Sequence, residues 1–135
     1  MKNIDPIISA RILLVEESRK DQLLIMERLN DLGIHNITVS NSGEQAIDIL
    51  EEDTSFDLVL IEYYLPGVSG IEIIKEIRAR FNQIPIIMIT GLGSERIAVE
   101  AMKLGIYETC FDNICLKLLL TSYLCLCRSL IISFL

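Results

Sequence analysis

Basic residues are scarce in this sequence: 12 Lys and Arg stand against 19 Asp and Glu over 135 residues, a formal net charge of −7. Nucleic-acid backbones are bound by basic surfaces, so the balance argues against nonspecific nucleic-acid binding. Cysteine is absent before Cys110, and Cys110, Cys115, Cys125 and Cys127 show neither CxxC spacing nor a nearby histidine. That argues against zinc and reads as reduced thiols. Histidine occurs once, at His35, in a stretch that reads as a surface loop. Residues 1–9 carry Asp5 and Pro6 and no long apolar core, so no signal sequence is expected and the cytoplasm is the expected location. Repeats, linkers and low-complexity tracts are missing as well. An apolar content of 51% excludes a disordered tail, and the length fits one domain with a real core.

Three apolar runs of four residues stand out, at 12–15, 58–61 and 86–89. They are too short for helices and do not alternate with polar residues, which is how parallel strands covered on both faces read. Residues 37–39 make a fourth candidate and 109–111 a fifth. Helical patterns lie between them. Leu23, Met26 and Leu29, with Leu24 and Ile25, predict an apolar face, and Gly33 a stop. Ser42 with Gln45, and Ser69 with Glu72, fit helix-opening capping boxes, the latter ahead of Ile73, Ile74 and Ile77. A further helix is predicted over 94–104. Parallel strands joined by right-handed crossovers give an α/β fold: a doubly wound, five-stranded parallel sheet with helices on both faces.

In such sheets ligands bind at the carboxyl ends of the strands. Glu16 and Glu17 follow the first strand, Glu62 closes the third, Thr90 the fourth and Asp112 the fifth. Clustered carboxylates can hold a hard cation such as Mg2+. Alternatively they solvate a loop or favour the next helix N-terminus. No basic partner is evident, so crowding predicts a raised pKa for at least one of Glu16, Glu17, Glu62 and Asp112 unless a divalent cation binds.

Residues 11–18, RILLVEES, resemble the first strand and acidic pair of bacterial two-component response-regulator (CheY-like) receiver domains. Residues 56–70, FDLVLIEYYLPGVSG, are similar to the phosphoacceptor strand and its proline-glycine loop, and 85–91, PIIMITG, to the fourth strand with its switch hydroxyl. The likeness continues through 98–105, AVEAMKLG. It implies a flavodoxin-like strand order of 2-1-3-4-5 and a phosphorelay role without enzymatic turnover of a substrate. It further implies Mg2+ held by Glu16, Glu17, Glu62 and the Tyr64 carbonyl, with Thr90 as the switch. The implied partner is a sensor histidine kinase or another signalling protein.

Three positions depart from the pattern. Glu62 stands where the family has its acceptor aspartate. Counting from Gly105, Thr109 takes the place of the aromatic switch and Asp112 that of the lysine. The longer side chain misplaces the attacking oxygen by about 1 Å, an error of a size that can cost about 10²-fold in rate. Losing the lysine removes a cation from the phosphoryl oxygens. These departures predict a pseudo-receiver that works by binding proteins rather than by phosphorylation. The alternatives are an active phosphoacceptor receiver and a truncated or frame-shifted remnant.

The expected organisation is an N-terminal extension over 1–9, a receiver core over 10–112 and an atypical apolar helix over 113–135. Residues 113–135 contain no Ala, Gly, Pro, Asp, Glu or Val, and Lys117 and Arg128 are their only charges. On a helix, Leu116, Leu119, Leu120, Tyr123, Leu124 and Cys127 form one stripe that can pack on the sheet. Leu118, Leu126, Ile132 and Leu135 lie off it, which predicts self-association. Arg128 would sit well inside a bilayer and argues against a span.

Overall fold

Each strand residue of a parallel sheet covered on both faces must be apolar, and alternate residues must serve different helices. The computed structural model, which describes residues 9–81, 84–89 and 108–110, shows this division. Strands β1 (Arg11–Val15), β2 (Asn36–Ser40), β3 (Leu58–Glu62), β4 (Ile86–Ile89) and β5 (Glu108–Cys110) form one parallel sheet in the order β2-β1-β3-β4-β5. Helices α1 (Arg19–Asp31), α2 (Gly43–Glu52) and α3 (Gly70–Arg80) are the described crossovers.

Leu13, Val15, Val59, Ile61, Ile86 and Met88 face α2 and α3, where they meet Ala46, Ile47, Leu50, Ile73, Ile74 and Ile77. Ile12, Leu14, Leu58, Leu60 and Ile87 point the other way, toward Ile25 and Leu29 of α1. Two cores therefore lie back to back across one sheet. Gly43 is where α2 comes against α3, because a Cβ there would overlap the Ile73 side chain.

The predicted helix openings hold with one adjustment. Ser42 Oγ accepts from the Gln45 amide at 3.1 Å and Ser69 Oγ from the Glu72 amide at 3.3 Å. Gln45, however, returns its Oε1 to the Asn41 amide at 2.8 Å, one residue before the cap. Ser18 caps α1 by accepting from Asp21 N–H at 3.3 Å. Gly33 ends that helix as expected, at a φ of 86° that side chains disfavour.

One expectation is corrected. The buried stripe of α1 is Gln22, Ile25 and Leu29, whereas Leu23 and Leu24 are 50% and 36% exposed. The cluster 23–26 has apolar residues on every side, so its periodicity could not fix the inward face. A buried glutamine with satisfied hydrogen bonds fixed it instead.

At the amino end of the sheet Arg11 acts as a clasp. Its amide donates to Asp57 Oδ2 at 2.9 Å and its carbonyl accepts from the Asp57 amide at 2.8 Å. Its guanidinium pairs with Asp53 at 2.8 Å, hydrogen-bonds Ser55, and lies 4.6 Å from the centre of the Phe56 ring. Hydrogen bonds from the Ser55 hydroxyl and amide, then from Arg11, hold the Asp53 pKa down at about 2. The predicted helix over 94–104 and the apolar stretch 113–135 lie outside the described residues. Among the described residues no helix is long and apolar enough to cross a membrane.

Candidate functional site at the carboxyl ends of β1 and β3

The strand order reverses between β1 and β3, and the crevice at such a switch point is where open α/β sheets bind ligands. Val15 pairs with Ile61 across these neighbours, so the next residues, Glu16 and Glu62, emerge side by side. Glu16 is 4% exposed and Glu62 is half-buried. Their carboxyl groups lie close enough for each to act on the other's ionisation.

Local structure sets both side chains. Glu16 Oε1 accepts from the Ser18 amide at 3.0 Å as the chain turns into α1. Glu62 Oε1 folds back to accept from the Tyr64 amide at 3.1 Å. Gly70 lets α3 begin directly beneath the end of β3. Its amide donates to the Tyr63 carbonyl at 2.6 Å, and a Cβ there would strike the Glu62 carbonyl oxygen. Between them Gly67, at φ 79°, turns the loop. Tyr63 packs on the core and meets Tyr64 edge-on at 4.7 Å between ring centres, while Tyr64 is 53% exposed.

Burial raises the Glu16 pKa from 4.5 to about 7, and the nearby Glu62 charge adds to the rise against the Ser18 hydrogen bond. Burial also raises Glu62, against the lowering effect of the Tyr64 and Tyr63 amides. Near neutral pH the two groups act as one unit that readily keeps a proton. A raised pKa is thus present at Glu16 and Glu62 as expected, but its leading cause is burial rather than crowding.

Of the expected metal ligands, these two come together. Glu17 is exposed on the adjoining loop, and Tyr64 follows Glu62 by two residues. Among the described residues no group of three His, Cys, Asp or Glu side chains assembles. Two carboxylates nonetheless suit Mg2+, which commonly takes one or two and fills its octahedron with water. A divalent charge would also favour the ionised carboxylates against the burial that raises their pKa. Thr90 and Asp112 lie outside the described residues, and Thr109 is placed on β5.

Gln22 was missed by the sequence reading. It belongs to the site because its amide nitrogen donates to the Glu16 carbonyl at 2.6 Å and to Asn41 Oδ1 at 2.8 Å. A polar residue at the 22, 25, 29 spacing was the available signal.

Comparisons with known proteins agree with this architecture. Residues 12–120 match the model of the response regulator receiver domain. The chain is similar to the transcriptional regulatory protein CpxR of Escherichia coli K12, with 40% identity over 95 residues covering 70% of this chain and 39% of CpxR. It therefore spans about two fifths of the length of that relative. Among solved structures it is similar to a response regulator receiver domain protein from Clostridium thermocellum. There the TM-score is 0.76 at 24% identity, covering 85% of this chain and 94% of that one. It is also similar to the response regulator TrrA from Thermotoga maritima in complex with Mg2+ and BeF. That match has a TM-score of 0.68 at 27% identity, covering 76% and 86% of the two chains.

Proposed function

The chain belongs to the response-regulator receiver family of two-component signalling, and on that premise we propose that it is a pseudo-receiver that binds signalling proteins without being phosphorylated. One observation carries the reading: the carboxyl at the acceptor position is already engaged. Glu62 Oε1 accepts from Tyr64 N–H at 3.1 Å, and its carboxyl lies beside that of Glu16. A nucleophile must present a free, ionised oxygen in line with the phosphoryl group. This one is folded back, with its ionisation disfavoured by burial. The absent lysine, with Asp112 in its place, supports the same reading from the sequence.

In this role Glu16 and Glu62, with Glu17 and the Tyr64 carbonyl, would hold Mg2+, whose charge would neutralise the carboxylates. Thr90 stands at the switch position, and the partner is a sensor histidine kinase or another signalling protein in the cytoplasm. The test is incubation with acetyl phosphate followed by intact mass. The expected result is no added phosphate, and a clear mass shift abolished by Glu62→Gln would refute the reading. Restoring transfer is expected to need Glu62→Asp together with Asp112→Lys, because one corrects reach and the other supplies charge.

A further inference from the structure

Among the described residues three polar side chains are buried, Glu16, Gln22 and Ser40, and their contacts run into one another. Gln22 lies in the first turn of α1 and is 2% exposed. Its Nε2 donates to the Glu16 carbonyl at 2.6 Å and to Asn41 Oδ1 at 2.8 Å, while Arg19 donates to its Oε1 at 3.4 Å. On the opposite side the Glu16 amide donates to the Ser40 carbonyl at 3.0 Å, and Ser40 Oγ donates to the Ser42 carbonyl at 2.6 Å. The Asn41 amide donates in turn to Gln45 Oε1 at 2.8 Å. Glu16 is thus held at its amide by Ser40, at the end of β2, and at its carbonyl by Gln22 of α1, which also bonds Asn41 ahead of α2.

Packing alone does not call for glutamine here. Its neighbours on the stripe are Ile25 and Leu29, and a leucine would fill the position without an amide that must be satisfied on burial. What the glutamine adds is a side-chain tie between the turn after β1 and the segment ahead of α2. We propose that Gln22 is a positioning residue for the acidic pair. By bridging Glu16 and Asn41 it sets the turn after β1, so that the Glu16 carboxyl faces Glu62. Its consequence for cation binding rests on the reading of that pair as a Mg2+ site. Groups that hold a metal ligand in place typically change affinity by about 10–100-fold when removed.

The experiment uses the full chain and the variants Gln22→Leu, Asn41→Ala, both together, and Leu29→Ala as a control in the same helix. Calorimetry measures Mg2+ affinity. NMR of the metal-free protein follows the Ser18 amide proton, which reports its bond to Glu16 Oε1. Gln22→Leu is expected to weaken Mg2+ by about 10–100-fold and to move the Ser18 amide upfield. Asn41→Ala should act in the same direction and the double variant no further than Gln22→Leu, while Leu29→Ala lowers stability and leaves both readouts in place. An unmoved Ser18 amide in Gln22→Leu overturns the inference whether or not Mg2+ binds, as does an equal shift in Leu29→Ala. A wild-type chain that binds no Mg2+, with the Ser18 amide still moved in Gln22→Leu, overturns the metal reading and supports the positioning role.

Discussion

Replacing Glu16 with glutamine should make the protein more stable at neutral pH, and the gain should vanish in acid. In the folded chain the Glu16 pKa is raised from 4.5 to about 7. Between those values the native state holds a proton that the unfolded chain has released. Stability therefore falls as pH rises from about 4.5 to about 7, and levels off above. Each pKa unit is worth about 1.36 kcal/mol, so a shift of this size amounts to roughly 3 kcal/mol as an upper bound. Glu16 is 4% exposed, so solvent screening takes away little. Glutamine keeps the shape and can still accept from Ser18 N–H, but it cannot ionise. The assay is urea unfolding of both proteins in EDTA from pH 4.5 to pH 8, with stability plotted as the difference between them. The expected curve starts near zero in acid and climbs to about 2–3 kcal/mol in favour of Glu16→Gln by pH 8. Asp53 does not interfere. Its pKa is depressed from 3.8 to about 2, so its contribution is complete above about 3.8, below the range assayed, and is lost as pH falls from there through about 2. A difference that stays constant across the range would refute the burial and pairing of Glu16.

Adding Mg2+ at pH 7 should raise the urea midpoint of the wild type and leave the Glu16→Gln, Glu62→Gln double variant unmoved; equal shifts in both would place the ion elsewhere. Gly70→Ala should cost about 1–3 kcal/mol, because its methyl group strikes the Glu62 carbonyl, and an unchanged midpoint would contradict that approach. Ser42→Ala should cost about 1 kcal/mol through loss of the α2 cap, measured the same way. Leu23→Ser should change stability by no more than about 0.5 kcal/mol, whereas Ile77→Ala should cost about 2–5 kcal/mol; a large loss at Leu23 would restore the inward face first expected of it.

The sheet was legible because β1, β3 and β4 are covered on both faces, which leaves an unbroken apolar run in each that a half-exposed strand would not show. The pairs Ser42 with Gln45 and Ser69 with Glu72 marked two helix starts for an equally local reason. The inward face of α1 was not legible. Apolar residues at 23, 24, 25 and 26 satisfy several helical faces at once, and the choice among them came from hydrogen bonds between Gln22 and residues on other segments. The site was half visible. Strand-end position identified Glu16, Glu17 and Glu62 together, but not which member of the adjacent pair turns inward. That choice belongs to the turn at 16–18, fixed by the Ser18 amide and by Gln22 from the side.

The clasp at Arg11 gives β1 a fixed starting point, and Glu16 is reached from it by counting along five strand residues, Arg11–Val15. Because successive residues serve opposite cores, the strand behaves as a ruler with an even and an odd scale. Conservative exchanges at Ile12, Leu13, Leu14 or Val15 alter the filling of one core and leave the count intact. Gaining or losing a single residue exchanges the two scales, delivers each side chain to the wrong helices, and sends Glu17 or Val15 to the place beside Glu62. Sequence change in this strand is therefore open to substitution and closed to insertion or deletion.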